Sequence, residues 1–328
     1  VAVSKTQVQA RLLDVLLSKV VLPPLPPITN VLSRDEMFGH NAALRPLLDG
    51  AVCVEASNVA RFFDNSYVGI EGAFDESFWT DLKCLVPPYK KFFIEWTTPL
   101  IETALRMGTL FLACPPDLAE SVARSFIGMG AKSTPAKIVE FRKDLRCKWI
   151  YITLDFLEFP FQNDGTHVSG LRGPYHIGAI SVAQDGSLLN FWMSHATAQL
   201  SKNESMQVAA ASLVGWTTLS MMNCANIDTI EHKAPEAFQK ARVKSGKLPL
   251  VSYRTVRVEA SKTPRQIAAP SLPGDGTTPR LHKKRGHLKD YRRGKGLFGR
   301  YKGVWFWGDM TAGSAEKGIV ETDYEVTP

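Results

Sequence analysis

The chain has 328 residues, 45% hydrophobic and 22% charged, with a formal net charge of +7. That much apolar surface offsets chain entropy, so disorder over the whole length is excluded, and the length suits one large domain or two smaller ones. The five cysteines (Cys53, Cys84, Cys114, Cys147 and Cys224) are an odd number at wide spacing without a C-x-x-C pair. They read as free thiols in a reducing cytoplasm, not as a disulfide framework.

In chain order, "TQVQARLLDVLLSKV" carries apolar residues at Val8, Leu12, Leu13, Val15 and Leu16, a helical stripe with Thr6 as its cap. Asp14 and Lys19 break its apolar run, so it does not read as a signal peptide. "LPPLPPITN" stops it, because prolines do not sit inside a helix. "SRDEMFGHNAALRPLLDG" is a second helix, interrupted by Pro46 and ending at Gly50. "DESFWTDLKCL" and "DLAESVARSFIGMG" are further helices, the latter closed by glycine.

Around residue 145 the period changes. "CKWIYITLDFLEF" alternates as a half-buried strand does. "YHIGAISVAQDGSLLNFWMSH" is a hairpin turning at Asp185-Gly186, a pair that accepts positive φ. Ser205–Ile227 is uncharged and long enough for a membrane span, but Gln207, Ser212, Thr217, Thr218, Ser220, Asn223 and Asn226 dilute it. It reads as a helix over 202–222 packed on the sheet, and no membrane partner is expected. "LPLVSYRTVRVEA" is another strand, "SKTPRQIAAPSLPGDGTTPR" a loop, "KGVWFWGDM" a short aromatic strand, and "EKGIVETDYEV" closes the chain. The pattern predicts an α+β fold. A mainly helical region over 1–145 packs with a mainly antiparallel sheet over 146–328, as two regions or one continuous domain, with a basic hairpin at 280–308.

The charge is gathered near the C-terminus. Between Arg280 and Lys302 stand ten bases (Arg280, Lys283, Lys284, Arg285, Lys289, Arg292, Arg293, Lys295, Arg300 and Lys302) against one acid, Asp290. That window is +9, so the remaining residues together are −2. Cations at this density repel unless solvated or opposed by something negative, and nucleic-acid phosphate is the commonest such partner. Gly286, Gly294, Gly296, Gly299 and Gly303 permit tight turns, and Tyr291, Phe298, Tyr301, Trp305 and Trp307 could stack on unpaired bases. An acidic host protein or nascent polypeptide would also satisfy the charge, and the residues could equally solvate a surface hairpin. Trp305 and Trp307 share strand parity, so both could point into a core.

Few residues stand in a catalytic pattern. His282 and His287 are the candidates for a histidine-dependent nuclease, but their offset of five is not the i, i+4 pair of a zinc helix. Asp155 and Glu158 fall on opposite strand faces. Asp164, His167 and His176 lie in a glycine- and proline-rich connection, which reads as a plain loop sooner than a metal site. No nucleotide-binding loop and no G-x-S-x-G elbow occurs. No cofactor and no metal is expected, and catalysis is the alternative to binding.

"TPRLHKKRGHLKDY" resembles the R-x-H-x-R-R-G-H signature of a broad family of phage and prophage proteins, in which a glycine-and-basic turn and an aromatic strand follow. The family includes the type V-A anti-CRISPR that suppresses production of its effector nuclease. "PPYKKFFIEWTTP", with Glu95 and Trp96, and "LSMMNCANIDTIEH" are similar to two further stretches of that group, in the same order, and the likeness spans roughly residues 87 to 327. Lys283-Lys284 replaces the arginine expected after the histidine, and the first 80 residues match nothing in the family. The resemblance implies a phage-encoded accessory or anti-defence protein in the cytoplasm of an infected host. It directs interest to His282, Arg285, Gly286 and His287. On the residues themselves, Lys283, Lys284, Arg285, Arg292, Arg293 and Lys295 are expected to pair with anionic groups, with Arg280, Lys289 and Arg300 beside them. Tyr291 and Tyr301 are expected to stack on RNA or DNA bases.

Overall fold

The structure is a computed structural model that describes residues 11–19, 34–60, 82–97, 106–125, 134–159, 170–174, 176–195, 202–258, 280–284, 287–297, 299–307, 310–312 and 314–319. The chain divides into two compact units. The first comprises Val1–Asn223 and Thr229–Arg257, the second Cys224–Asp228 and Val258–Pro328.

The first unit is built on a sheet. Its strands are β1 (Val52–Glu55), β2 (Lys91–Trp96), β3 (Arg106–Cys114), β4 (Cys147–Phe159), β5 (Gly170–Arg172), β6 (His176–Ala183), β7 (Leu188–His195), β8 (Ile227–His232) and β9 (Tyr253–Val258). They run in the order β7-β6-β4-β3-β2-β1-β9-β8, with β5 added to β4. Pairing from β2 to β7 is antiparallel, whereas β1 is parallel to both β2 and β9. The fold is therefore α+β with a mixed, mainly antiparallel sheet, as the pattern of the sequence predicts. The stretch before residue 145 differs from the expected run of helices, because β1, β2 and β3 lie inside it. "KFFIEW" and "RMGTLFLAC" are buried nearly throughout, and a strand covered on both faces shows no alternation. For the same reason β4, expected to be half-buried, is buried from Ile150 through Leu157.

Helices cover both faces. They are α1 (Leu12–Ser18), α2 (Arg34–Leu48, with Pro46 in its last turn), α3 (Ser57–Ala60), α4 (Pro116–Arg124), α5 (Thr134–Phe141), α6 (Lys202–Met222) and α7 (Glu236–Lys244). One face packs on α6. Trp216 meets Phe111 edge-on at 4.8 Å and Tyr151 at 5.7 Å, and Phe92 stacks on Phe111 at 4.9 Å. Truncating an aromatic so enclosed typically costs about 3–5 kcal/mol. On the other face Phe93, Leu110, Ile150, Ile152, Leu154 and Phe156 form a core with Leu12, Leu13 and Leu16 of α1, Leu44 of α2, Ala119 of α4 and Ile138 of α5. No helix among the described residues is long and apolar enough to cross a membrane.

Of the expected helix "DESFWTDLKCL", residues 75–81 lie outside the described ones, and Leu82–Leu85 are irregular. Polar side chains hold that segment. The Ser220 hydroxyl bonds the main chain of Lys83, the Tyr151 hydroxyl donates to the Leu85 carbonyl at 2.8 Å, and Asn223 donates to the Val86 carbonyl at 3.0 Å. The Asp185-Gly186 turn closes β6 onto β7 as expected. Gly186 sits at φ +81°, and a Cβ there would lie 2.8 Å from the Cys84 Cα, so the position requires glycine.

Two carboxylates seat α1. Glu95, on β2 and 2% exposed, accepts the Leu13 N–H at 3.0 Å and lies 3.6 Å from the Cys53 thiol. Asp14 accepts the Arg11 N–H and the Val251 N–H, each at 2.8 Å. The amides at the start of a helix favour a negative charge. Burial opposes it and wins, raising the Glu95 carboxyl above its ordinary 4.5, while the Leu13 and Leu12 amides, Arg11 and Arg106 pull the other way.

A carboxyl raised on folding binds more protons in the native state, so its contribution to stability falls as pH rises from 4.5 through the raised value. Glu95→Gln keeps an acceptor for α1 but cannot ionise. Urea titrations from pH 4.5 to 8 should therefore show a smaller loss of stability with rising pH in Glu95→Gln than in the wild type. An unchanged slope would contradict this account.

Candidate functional site

The second unit contains the basic segment. Its strands are β10 (Arg280–Lys284), β11 (His287–Asp290), β12 (Val304–Trp307), β13 (Met310–Ala312) and β14 (Ser314–Ile319). β10 lies between β13 and β14, and β11 pairs antiparallel with β12. The aromatic strand expected at "VWFW" is β12, and with β11 it forms the arms of a hairpin whose tip is Tyr291–Gly303.

β12 is held along both edges. On one edge His287, Leu288, Lys289 and Asp290 face Trp307, Phe306, Trp305 and Val304. On the other, the Ala225 N–H donates to the Val304 carbonyl at 2.8 Å. There the Asn226 side chain takes the place of a strand. Its Nδ2 donates to the Phe306 carbonyl at 2.8 Å, and its Oδ1 accepts the Phe306 N–H at 3.0 Å. Val304, Trp305 and Phe306 are all buried. The parity argument is thus correct for Trp305, which is 5% exposed, while Trp307 is only half-buried. Trp305 presents no surface to a partner, which removes it as a stacking ring.

The tip is a structured turn. The Tyr291 N–H donates to the Gly303 carbonyl at 2.8 Å, the Leu297 N–H to the Tyr301 carbonyl at 2.8 Å, and the Tyr301 N–H back to the Leu297 carbonyl at 3.0 Å. Leu297 is buried and anchors the turn. Gly296 has φ +81°, and a Cβ there would lie 2.9 Å from the Tyr301 carbonyl oxygen, so a side chain is excluded twice over.

The cations differ in what they touch. Arg292 grips Asp290 with two nitrogens, Nε at 3.0 Å from Oδ1 and Nη2 at 2.7 Å from Oδ2. This bond holds the Asp290 carboxyl below its ordinary 3.8, helped by the Arg292 N–H and by the charge of Arg293. The segment's single acid is therefore already engaged. Lys289, Lys295, Arg300 and Lys302 are exposed and form no ion pair with a described carboxylate. The Lys289 ammonium stands 6.0 Å from the centre of the Tyr291 ring, at the limit of cation–π attraction. Tyr301 is 37% exposed and meets Trp305 edge-on at 6.0 Å. Tyr291 is half-buried, and Arg293 is exposed.

Arg280, His282, Lys283 and Lys284 lie on β10, where the main chain alone is described, and Arg285, Gly286 and Phe298 lie outside the described residues. His282 pairs with Ala312 and His287 with Trp307, so the two histidines belong to different sheets. Asp164 and His167 also lie outside the described residues. Among the described residues no group of His, Cys, Asp and Glu could hold a metal ion. In the first unit Asp155 accepts the Thr109 hydroxyl at 2.5 Å and Glu158 pairs with Arg106. Each has its own partner, in keeping with their opposite strand faces.

The chain matches no protein-family model, and comparison with curated proteins and with solved structures finds no match to either. The geometry of the hairpin therefore carries the functional argument. It adds one residue, Asn226, to those the sequence names, and draws Lys302 out of the ten bases of the run. Lys302 is exposed beside Tyr301, and its signal was its place in the basic run. Asn226 lies 80 residues from its bond partner, so nothing local marks it.

Asn226→Ala should remove both hydrogen bonds that its side chain makes to the Phe306 main chain, at about 1–3 kcal/mol for each buried group. Hydrogen exchange followed by mass spectrometry should show faster exchange across β12, with the strands of the large sheet unchanged. Protection of β12 equal to wild type would remove Asn226 as its clamp.

Proposed function

We propose that this chain is a binding protein whose cationic C-terminal hairpin engages nucleic acid. One observation carries the reading: Lys289, Lys295, Arg300 and Lys302 are exposed on one short hairpin without described carboxylates to neutralise them, beside an exposed tyrosine. Like charges held close on a fixed turn gain from an anion that brings many charges at once, and a phosphate backbone does so with release of its counterions. The buried strand β12 supports the reading, because it gives the turn a rigid base. The likeness of Arg280–His287 to the phage family adds the biological setting, a phage-encoded accessory or anti-defence protein acting in the cytoplasm of an infected host.

The test is fluorescence anisotropy of the full chain with a labelled 30-nucleotide RNA and a 30-base-pair DNA between 50 and 300 mM salt. Affinity should fall with salt, log K changing by about 0.7 per phosphate neutralised on a single strand and about 0.9 on a duplex, per unit of log salt. Charge reversal at Lys289, Lys295, Arg300 and Lys302 together should weaken binding at least ten-fold and flatten the salt dependence. Salt-independent binding, or an unaffected quadruple variant, would end the proposal. Cleavage of the RNA during the assay, abolished by His287→Ala, would replace it with the nuclease alternative.

A further inference from the structure

We propose that the hairpin selects unpaired over duplex nucleic acid, with Tyr301 as the ring on which a base stacks. This rests on the nucleic-acid reading above and names the form of nucleic acid it takes. Tyr301 stands between Arg300 and Lys302, both exposed. Its main chain is bonded in both directions to Leu297, by an N–H at 3.0 Å and a carbonyl at 2.8 Å. Its ring meets the buried Trp305 edge-on at 6.0 Å, with an interplanar angle of 72°. Backbone and ring are thus fixed from beneath while 37% of the residue's surface stays open. A ring held this way costs little further entropy when it is covered.

The surroundings suit a single strand. A base in a duplex is already stacked on both faces, so a duplex could use only the cations. A single strand offers phosphates to the cations and π-faces to the ring, and each stacked base is a sequence-tolerant contact. Positions 294 and 299 are glycines with nothing within 4 Å of where a Cβ would stand, so the tip is bare where a flexible strand would approach. Tyr291, with Lys289 6.0 Å from its ring centre, is a second ring paired with a cation on the other arm. An acidic peptide would satisfy the charges but would gain nothing from the tyrosine's face.

The experiment measures full-chain affinity, at one salt concentration, for labelled 12-nucleotide oligo-U, 12-nucleotide oligo-dT, a 12-base-pair duplex and poly-glutamate. At least one single strand should bind roughly ten-fold tighter than the duplex, the order that one stacked base is worth. Tyr301→Leu, which keeps an apolar contact with Trp305 but has no π-face, should lose about ten-fold on the single strand and less than two-fold on the duplex. Tyr301→Phe should bind within two-fold of wild type. Duplex binding as tight as single-strand binding in the wild-type protein overturns the inference and leaves the nucleic-acid reading standing. So does a Tyr301→Leu loss shared equally by both forms, which would mean that the ring supports the turn. Binding of poly-glutamate without either nucleic acid overturns both proposals.

Discussion

The candidate site depends on one strand whose main chain is held along both edges. β12 has β11 along one edge and Ala225 with the side chain of Asn226 along the other, and its first three residues are buried. A two-stranded hairpin alone is marginal in water. Here the other edge of β12 is closed in part by an amide that offers a donor and an acceptor at the spacing of a peptide group. With the base fixed, the tip can carry a density of positive charge that would otherwise favour an open, solvated loop. Leu297 fastens the turn from within, and the glycines supply the conformations that side chains would forbid.

In the first unit the buried and half-buried carboxyl groups have polar partners. Glu95 and Asp14 accept amides around α1, and Glu158 holds Arg106. Arg11 lies against the face of Tyr253 at 3.7 Å. Burial still raises Glu95, which shows how much desolvation these contacts must offset. In the second unit the Arg292–Asp290 pair consumes the segment's only acid within two residues, and Lys289, Lys295, Arg300 and Lys302 are left to solvent.

Much of this was legible in the sequence, for identifiable reasons. The β6–β7 hairpin was visible because Asp185-Gly186 stands between β-rich runs, and β4 because "CKWIYITLDFLEF" is long and rich in β-branched and aromatic residues. The basic run was visible from its charge, but the hairpin expected over 280–308 is β11 with β12, while Arg280–Lys284 forms β10 of another sheet. β2 and β3 were not, because strands covered on both faces have no alternation and resemble helical core segments in single-sequence patterns. α1 was legible as a stripe, but its seat on Glu95 joins residues 82 positions apart. Asn226 was hidden for the same reason. The inward Trp305 was foreshadowed by strand parity, whereas nothing local in the sequence marks Tyr301 as exposed.

The second unit is not one continuous length of chain. Residues 229–257 separate Cys224–Asp228 from the rest, which begins at Val258, and the shorter piece supplies the amide that closes β12. A C-terminal fragment cut at residue 258 would hold every cation of the hairpin and lack its closing edge. The basic peptide by itself is consequently a poor stand-in for the native surface, because it has the charges without the shape that the folded turn imposes.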